Sequence, residues 1–180
     1  WPREYAREAL KRGLVYEETL GANPFKFGMI GSTDSHTSIP STEENNFFGK
    51  HSGVEPAPER WNHLVGKAAD KLVKGWQQAS SGYAAVWATQ NTREALFDAI
   101  KRREVYATTG PRMTVRLFGG WDFTAADALV PDMAEPGYAR GVPMGGIISL
   151  PEGRSPSFLV SASKDSIGAN LDRVQIIKGW

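Results

Sequence analysis

Apolar residues recur with a helical period through the amino-terminal part of the chain. Apolar residues spaced four apart, with charged residues between them, predict a helix over residues 3–20 that ends at Gly21. The same period predicts a helix over residues 60–78 and a third helix from Asn91, where Glu94 would complete a capping box. Shorter apolar runs predict strands or extended segments over residues 26–30, 83–88 and 105–108.

Beyond Pro111 the apolar residues alternate with polar ones, which is typical of strands. Gly119 and Gly120 would form a turn after the first of these strands. The alternation indicates strands over residues 113–118, 157–162 and 173–177.

The change of period divides the chain into two predicted domains. Residues 1–111 predict an α/β domain, and residues 112–180 predict a β-rich, sandwich-like extension. Residues 37–58 are polar without a period and predict a long loop of the kind that is usually functional or mobile. The chain opens on Trp1 without a methionine and stops in an apolar stretch at Trp180, so we expect part of a longer protein.

Charge and composition exclude several classes of function. The 21 basic and 20 acidic residues give a net charge of +1, without the sustained basic face that nucleic-acid binding needs. No apolar run approaches the length of a membrane span. The absence of cysteine excludes disulfides, thiolate zinc sites and cysteine nucleophiles, and it leaves a periplasmic and a cytoplasmic location both open.

An aspartate and a histidine follow the predicted strand over residues 26–30. Asp34 and His36 offer one hard oxygen and one imidazole nitrogen, a combination that suits Zn, Mn or Fe. The glycine, serine and threonine residues around them leave room for an ion and a substrate. Two ligands do not complete a catalytic zinc site, which usually takes three from the protein. The alternative is an ordinary turn, in which Asp34 accepts backbone hydrogen bonds and His36 caps or faces solvent.

The other two histidines are weaker candidates. His51 lies in the polar loop and could act as a general acid or contact substrate, or it could be an exposed loop residue. His63 lies near the start of the predicted helix over residues 60–78, and we interpret it as structural.

Two arginines and two threonines surround the turn at Gly110. Arginine beside hydroxyl groups suits a phosphate or a carboxylate. The simpler interpretation, which we favour, is a helix-end charge at Arg103 and a strand-favouring residue at Thr108. The four residues are Arg103, Thr108, Thr109 and Arg112.

Three segments of the chain are specific in their order and spacing: residues 25–37, 46–52 and 91–112. The first reads Phe-Lys-Phe-Gly-Met-Ile-Gly-Ser-Thr-Asp-Ser-His-Thr. It resembles the late metal-binding motif of the polymerase-and-histidinol-phosphatase (PHP) superfamily, where an Asp-x-His follows a barrel strand. Together the three segments resemble the DUF3604 family, a group similar to that superfamily.

The resemblance implies the carboxy-terminal part of a distorted (β/α) barrel and a metal-dependent hydrolase. It implies that Asp34 and His36 bind two or three divalent transition metals (Zn, Mn or Fe) and that a metal-activated water cleaves a small-molecule ester or phosphoester. The early His-x-His motif of the superfamily has no match here, since the three histidines are nowhere two residues apart. The remaining ligands are therefore expected upstream of Trp1, and this piece alone is expected to be inactive.

Two functions of other classes remain open. The chain could be a noncatalytic, β-rich structural or assembly module in which the Asp-x-His is vestigial. Carbohydrate binding would need exposed aromatic residues in a row, for which Trp121 and Phe123 are the nearest pair.

Overall fold

The computed structural model describes residues 5–36, 57–78, 82–149 and 153–179. Helices and short strands alternate along these ranges, with single 3-10 turns at Arg60–Asn62, Gly75–Gln77 and Ala125–Ala128. The helices are α1 (Ala6–Leu20), α2 (Arg93–Lys101) and α3 (Ala134–Arg140). The strands are β1 (Leu64–Ala68), β2 (Lys71–Lys74), β3 (Ala84–Val86), β4 (Val105–Ala107), β5 (Thr114–Gly120), β6 (Gly141–Pro143) and β7 (Ser157–Ser163).

Helix α1 confirms the first predicted helix and its end at Gly21. Gly21 has φ 71, a left-handed value that favours glycine, and its N–H bonds to the carbonyl of Glu17. The following loop packs against the helix, because a Cβ at Gly13 would lie 2.2 Å from Oδ1 of Asn23. Glu17 fixes this loop through Lys26, whose Nζ lies 2.5 Å from Oε1.

The segment predicted as a helix over residues 60–78 is a β-hairpin, so that prediction is wrong. Strands β1 and β2 pair antiparallel with Ala68 opposite Lys71, which leaves Ala69 and Asp70 as a two-residue loop. Ala69 has φ 54, the left-handed conformation that tight hairpin turns need. The left-handed turn at Ala69 reverses the chain between β1 and β2, which the helical spacing of the apolar residues did not indicate.

Strands β3 and β4 confirm two of the predicted strands and pair antiparallel, with Ala85 opposite Tyr106. Helix α2 connects them. Its N-cap is Thr92, whose Oγ1 accepts a hydrogen bond from the Ala95 N–H at 3.3 Å. The predicted cap at Asn91 is therefore wrong by one residue, because asparagine and threonine are neighbours here and both cap helices well.

Strand β5 is the centre of a three-stranded antiparallel sheet with the order β6-β5-β7. Its last residue, Gly120, pairs with Gly141 on one side and Ser157 on the other, so the predicted turn at Gly119 and Gly120 is wrong. A Cβ at Gly120 would lie 2.7 Å from the ring of Phe123. The glycine here admits an aromatic ring against the strand instead of turning the chain.

Helix α3 lies within residues 112–180, which the sequence predicted to be β-rich, and between two of the predicted strands. The Asp132 carboxylate accepts a hydrogen bond from the Ala134 N–H at 2.9 Å, and Pro136 stands in the first turn, where its missing N–H is not needed. The helix packs on β5 and β6, with Gly137 against the ring of Phe118. The small buried apolar core therefore centres on Phe118, together with Leu159 and Ala99.

Two predicted strands, over residues 26–30 and 173–177, have no strand pairing in the described ranges, so these predictions are wrong there. Large apolar side chains in both are exposed, for example Ile30 and Ile177. A strand needs a neighbour that supplies hydrogen-bond partners, which a local apolar pattern does not provide.

At the coarse level the chain mixes helices and strands, as the α/β prediction states, and the strands of the described ranges pair in three small antiparallel sheets without closing a barrel. Two compact units divide it: Trp1–Gly28 with Leu171–Trp180, and Met29–Asn170.

The predicted domain boundary between residues 1–111 and residues 112–180 stays a prediction. Residues 37–56 of the predicted loop, His51 among them, lie outside the described residues.

Candidate functional site

The Asp34-x-His36 pair lies in a segment with both of its side chains exposed. Asp34 has φ 54, a left-handed conformation that aspartate tolerates better than most residues. The Ser35 N–H donates to Oγ1 of Thr33 at 3.3 Å, and His36 forms a single β-bridge. The backbone around the pair is thus turned, and it presents a carboxylate and an imidazole at two exposed positions on either side of the half-buried Ser35.

Gly31 anchors this segment against β4. A Cβ at Gly31 would lie 2.5 Å from the Cβ of Ala107, so only glycine permits this close approach of the backbone. The carbonyl oxygen of Tyr83 lies 3.9 Å from the same point. The motif is therefore held at the end of the β3–β4 pair, a few residues from the turn at Gly110.

Thr108 is buried, and its hydroxyl is used within the fold. Its Oγ1 accepts from the backbone N–H of Tyr83 at 3.2 Å and from that of Gly110 at 3.5 Å. A Cβ at Gly82 would lie 1.2 Å from the carbonyl oxygen of Thr108, which shows how closely these two backbone segments approach each other. These contacts support the structural interpretation of Thr108.

Arg103 ends helix α2 in a left-handed conformation with φ 66. Its N–H bonds to the carbonyl of Ile100, and the N–H of Glu104 bonds to that of Ala99, the pattern of a Schellman motif. The backbone of Gly145 packs on this position, since a Cβ there would lie 2.2 Å from the Arg103 carbonyl oxygen. The contacts of its backbone support the interpretation of Arg103 as a helix-end residue.

Arg112 is fixed by a contact that the sequence did not indicate. Its backbone N–H donates to Oδ2 of Asp165 at 2.6 Å, and the N–H of Ile167 donates to Oδ1 at 3.1 Å. The Arg112 guanidinium lies 5.5 Å from the centroid of the Tyr83 ring. Chiefly through the bond from the Arg112 N–H, these backbone donors hold the pKa of Asp165 below its ordinary value.

Replacing Asp165 with asparagine is expected to lower the free energy of unfolding at pH 7 and to flatten its dependence on pH in acid. The folded-state pKa lies below the ordinary value of 3.8, so the ionised carboxylate stabilises the fold above that pH. This stabilisation is lost as the pH falls through the lowered pKa. Urea unfolding of both proteins from pH 7 to acid should therefore show curves that converge at low pH. Asp70→Asn, in the exposed hairpin loop, is the control; a constant offset at every pH would contradict the prediction.

A second polar cluster, which the sequence analysis missed, joins α2, β5 and α3. The buried Glu104 accepts from Nε of Arg102 at 2.8 Å and from the Tyr138 hydroxyl at 2.5 Å. The Tyr138 oxygen accepts in turn from Nη2 of Arg116 at 3.1 Å. Burial raises the pKa of Tyr138, and the bond to Glu104 acts in the same direction. The available signal was a charged residue, Arg116, on the strand face that also carries Phe118.

A third cluster fixes the turn after β5. The buried Asp127 carboxylate accepts from the backbone N–H of Thr124 at 2.7 Å and pairs with Arg140. The Thr124 bond, with Arg140 adding to it, holds the pKa of Asp127 below its ordinary value. Arg140 also donates to the carbonyl of Asp122 at 3.0 Å. Asp127 and Arg140 bond to each other and to backbone groups, so we interpret this cluster as structural.

Comparison with known proteins places the chain in a family. A family model described as "Protein of unknown function (DUF3604)" matches residues 1–180. The chain belongs to the DUF3604 family. No curated protein and no solved structure matches it.

In this DUF3604 chain, His63 directly precedes β1, and its backbone carbonyl accepts a hydrogen bond from the Gly75 N–H at 3.0 Å. Within the described ranges, no three or more His, Cys, Asp or Glu side chains form a group that could hold a metal. None of the described helices is long and apolar enough to cross a membrane.

Proposed function

We propose that this DUF3604 chain is part of a metal-dependent hydrolase of the PHP type that acts on phosphoester-type bonds of a small molecule. The observation that carries the proposal is the exposed Asp34-x-His36 pair, which Gly31 holds against the end of β4. The distorted (β/α) barrel of that superfamily belongs to the same proposal. The resemblance of the segment over residues 25–37 to the late PHP motif supports it.

The donor chemistry of the pair fits a divalent transition metal. Asp34 offers an anionic oxygen and His36 a ring nitrogen, which suits Zn, Mn or Fe. Two donors are fewer than such a site needs, so the proposal takes the remaining ligands from residues beyond the described ones. When bound, the cations would lower the pKa of a water toward neutrality and polarise the scissile group.

The residues of this chain would have distinct roles in that reaction. Asp34 would bind the metal ions as an anionic ligand that offsets part of their positive charge, and His36 would bind a metal ion through a neutral ring nitrogen. His51 is proposed as a general acid that protonates the leaving group, or as a contact to substrate. Ser32, beside the pair, is exposed and small, so it leaves space that a substrate needs.

The first test is the metal content of the full-length protein to which this chain belongs, called the full chain below. Protein purified without added metal and analysed by inductively coupled plasma mass spectrometry is expected to contain stoichiometric Zn, Mn or Fe. Asp34→Asn and His36→Gln are each expected to lower the metal content strongly, because each removes a ligand. Asparagine keeps the left-handed backbone of Asp34 accessible, so the change tests the charge and not the turn.

His63→Gln is the matched control, because His63 is a half-buried residue of the hairpin region that the proposal does not place at the metal. Its metal content should equal that of the unaltered protein. A full chain without stoichiometric metal, or one whose metal survives both ligand changes, would instead favour a noncatalytic structural module with a vestigial motif.

A further inference from the structure

Among the residues that the structure describes, Arg116 differs from three other arginines of the same compact unit in bonding to no carboxylate directly. Its one hydrogen bond in the described ranges runs from Nη2 to the Tyr138 hydroxyl, at 3.1 Å. The carboxylate bonded to the same hydroxyl, Glu104, already pairs with Arg102, so two guanidinium groups share one negative charge and the cluster keeps an excess positive charge. The pairs formed by the other three are Arg102–Glu104, Arg140–Asp127 and Arg154–Asp122.

Aromatic rings fix the plane of this guanidinium. Its central carbon lies 4.2 Å from the centroid of Trp87 and 5.3 Å from that of Tyr138. The ring of Phe118, which is fully buried, lies at 5.6 Å. Cation–π contacts of this kind hold an arginine in place while leaving its N–H edges available for hydrogen bonds.

The rings of Trp87 and Tyr138 are themselves held by hydrogen bonds. Nε1 of Trp87 donates to the carbonyl of Val115 at 3.0 Å, and the Tyr138 hydroxyl donates to the buried Glu104. Trp87 also packs on Tyr106, with centroids 6.3 Å apart. The guanidinium is therefore preorganised, so a ligand would not have to bear the cost of ordering it.

We propose that Arg116 is the recognition group of a second site, which binds a carboxylate or phosphate group of a small ligand. Arginine presents five N–H donors in a planar fork, and only one of them is used by Tyr138. The remaining donors match the oxygens of an oxyanion in a bidentate arrangement. Arg116 is half-buried, so the fork reaches solvent without losing the support of the aromatic rings.

This site is separate from the Asp34-x-His36 segment. Neighbouring residues of a strand point to opposite faces, so Tyr106 and Ala107 of β4 lie on different sides. Trp87, which packs on Arg116, contacts the ring of Tyr106, whereas Gly31 of the motif segment approaches the Cβ of Ala107. The inference does not rest on the proposed hydrolase.

The test is a titration of the ¹⁵N-labelled full chain, followed through the Nε–H resonance of Arg116. The resonance is assigned by its loss in Arg116→Lys. Sodium phosphate and sodium acetate are added in separate experiments at constant ionic strength, with chloride as the balancing ion. We expect a saturable shift of this resonance and of the backbone amides of β5.

Arg116→Gln is expected to raise the dissociation constant by about tenfold or more, because it removes charge-assisted hydrogen bonds to the anion. Arg154→Gln is the matched control, since Arg154 also stacks on an indole, that of Trp121 at 5.6 Å, but pairs with Asp122. It should leave binding unchanged.

The outcomes of the titration decide whether the site exists and which oxyanion it binds. Saturation by phosphate alone identifies a phosphate-bearing ligand, and saturation by acetate alone identifies a carboxylate. An Arg116 resonance that neither anion shifts, or an Arg116→Gln protein with unchanged affinity, would refute the site. The resonance of the unaltered protein supplies this evidence even if Arg116→Gln does not fold.

Discussion

Asp34→Asn is expected to lower kcat/KM for the hydrolysis of a phosphomonoester by about a hundredfold or more in the full chain. Residues that only orient a metal ligand are already worth about ten- to a hundredfold, so losing a ligand itself should cost at least as much. The measurement is steady-state release of p-nitrophenol from p-nitrophenyl phosphate, in the presence of Zn, Mn or Fe.

The controls separate loss of the site from loss of the fold. Asp70→Asn removes a carboxylate from the exposed hairpin loop and should leave the rate unchanged. Circular dichroism of the metal-free proteins should show the same unfolding midpoint for Asp34→Asn as for the unaltered protein, because asparagine also tolerates φ 54 and neither protein then gains stability from bound metal. A full chain that hydrolyses the ester equally well with either residue at position 34 would exclude Asp34 as a ligand.

The sequence predicted elements that side-chain spacing and end residues define, and it was wrong where a backbone turn or a long-range partner decides. Helix α1 and its end at Gly21 follow from spacing and from a single glycine conformation. The hairpin of β1 and β2 could not be separated from a helix, because its deciding feature is the left-handed turn at Ala69. The residues at 26–30 carry a strand pattern but find no strand partner among the described residues.

The same distinction applies to the two candidate sites. Asp34 and His36 are two residues apart, so the pair was visible in the sequence as a motif. The Arg116 cluster brings together Trp87, Glu104 and Tyr138, which are remote in sequence and meet only because α3 packs on β5. No spacing rule predicts such a meeting.

Phe118→Ala is expected to destabilise the unit that contains β5 by about 3–5 kcal/mol. Phe118 is the largest fully buried side chain of the described residues, and it meets the ring of Tyr138 edge-on at 5.0 Å. Because a domain is stable by only about 5–15 kcal/mol, this single cavity should remove a large part of the total. Urea unfolding of the full chain measures the loss. Phe158→Ala on the neighbouring strand is the control, since that ring is half exposed, and it should cost about 1 kcal/mol or less.

A second substitution tests whether the ring of Phe118 is held where the structure has it. Gly137→Ala should destabilise α3 against the sheet, because its new Cβ would lie 2.5 Å from Cδ2 of Phe118. In the Phe118→Ala background the methyl group enters the cavity, so the double variant should be more stable than the sum of the two single losses predicts. A coupling of about 1 kcal/mol or more is expected for residues in direct contact. Strictly additive losses would mean that the packing of α3 on Phe118, on which the position of Tyr138 beside Arg116 depends, is not the one described.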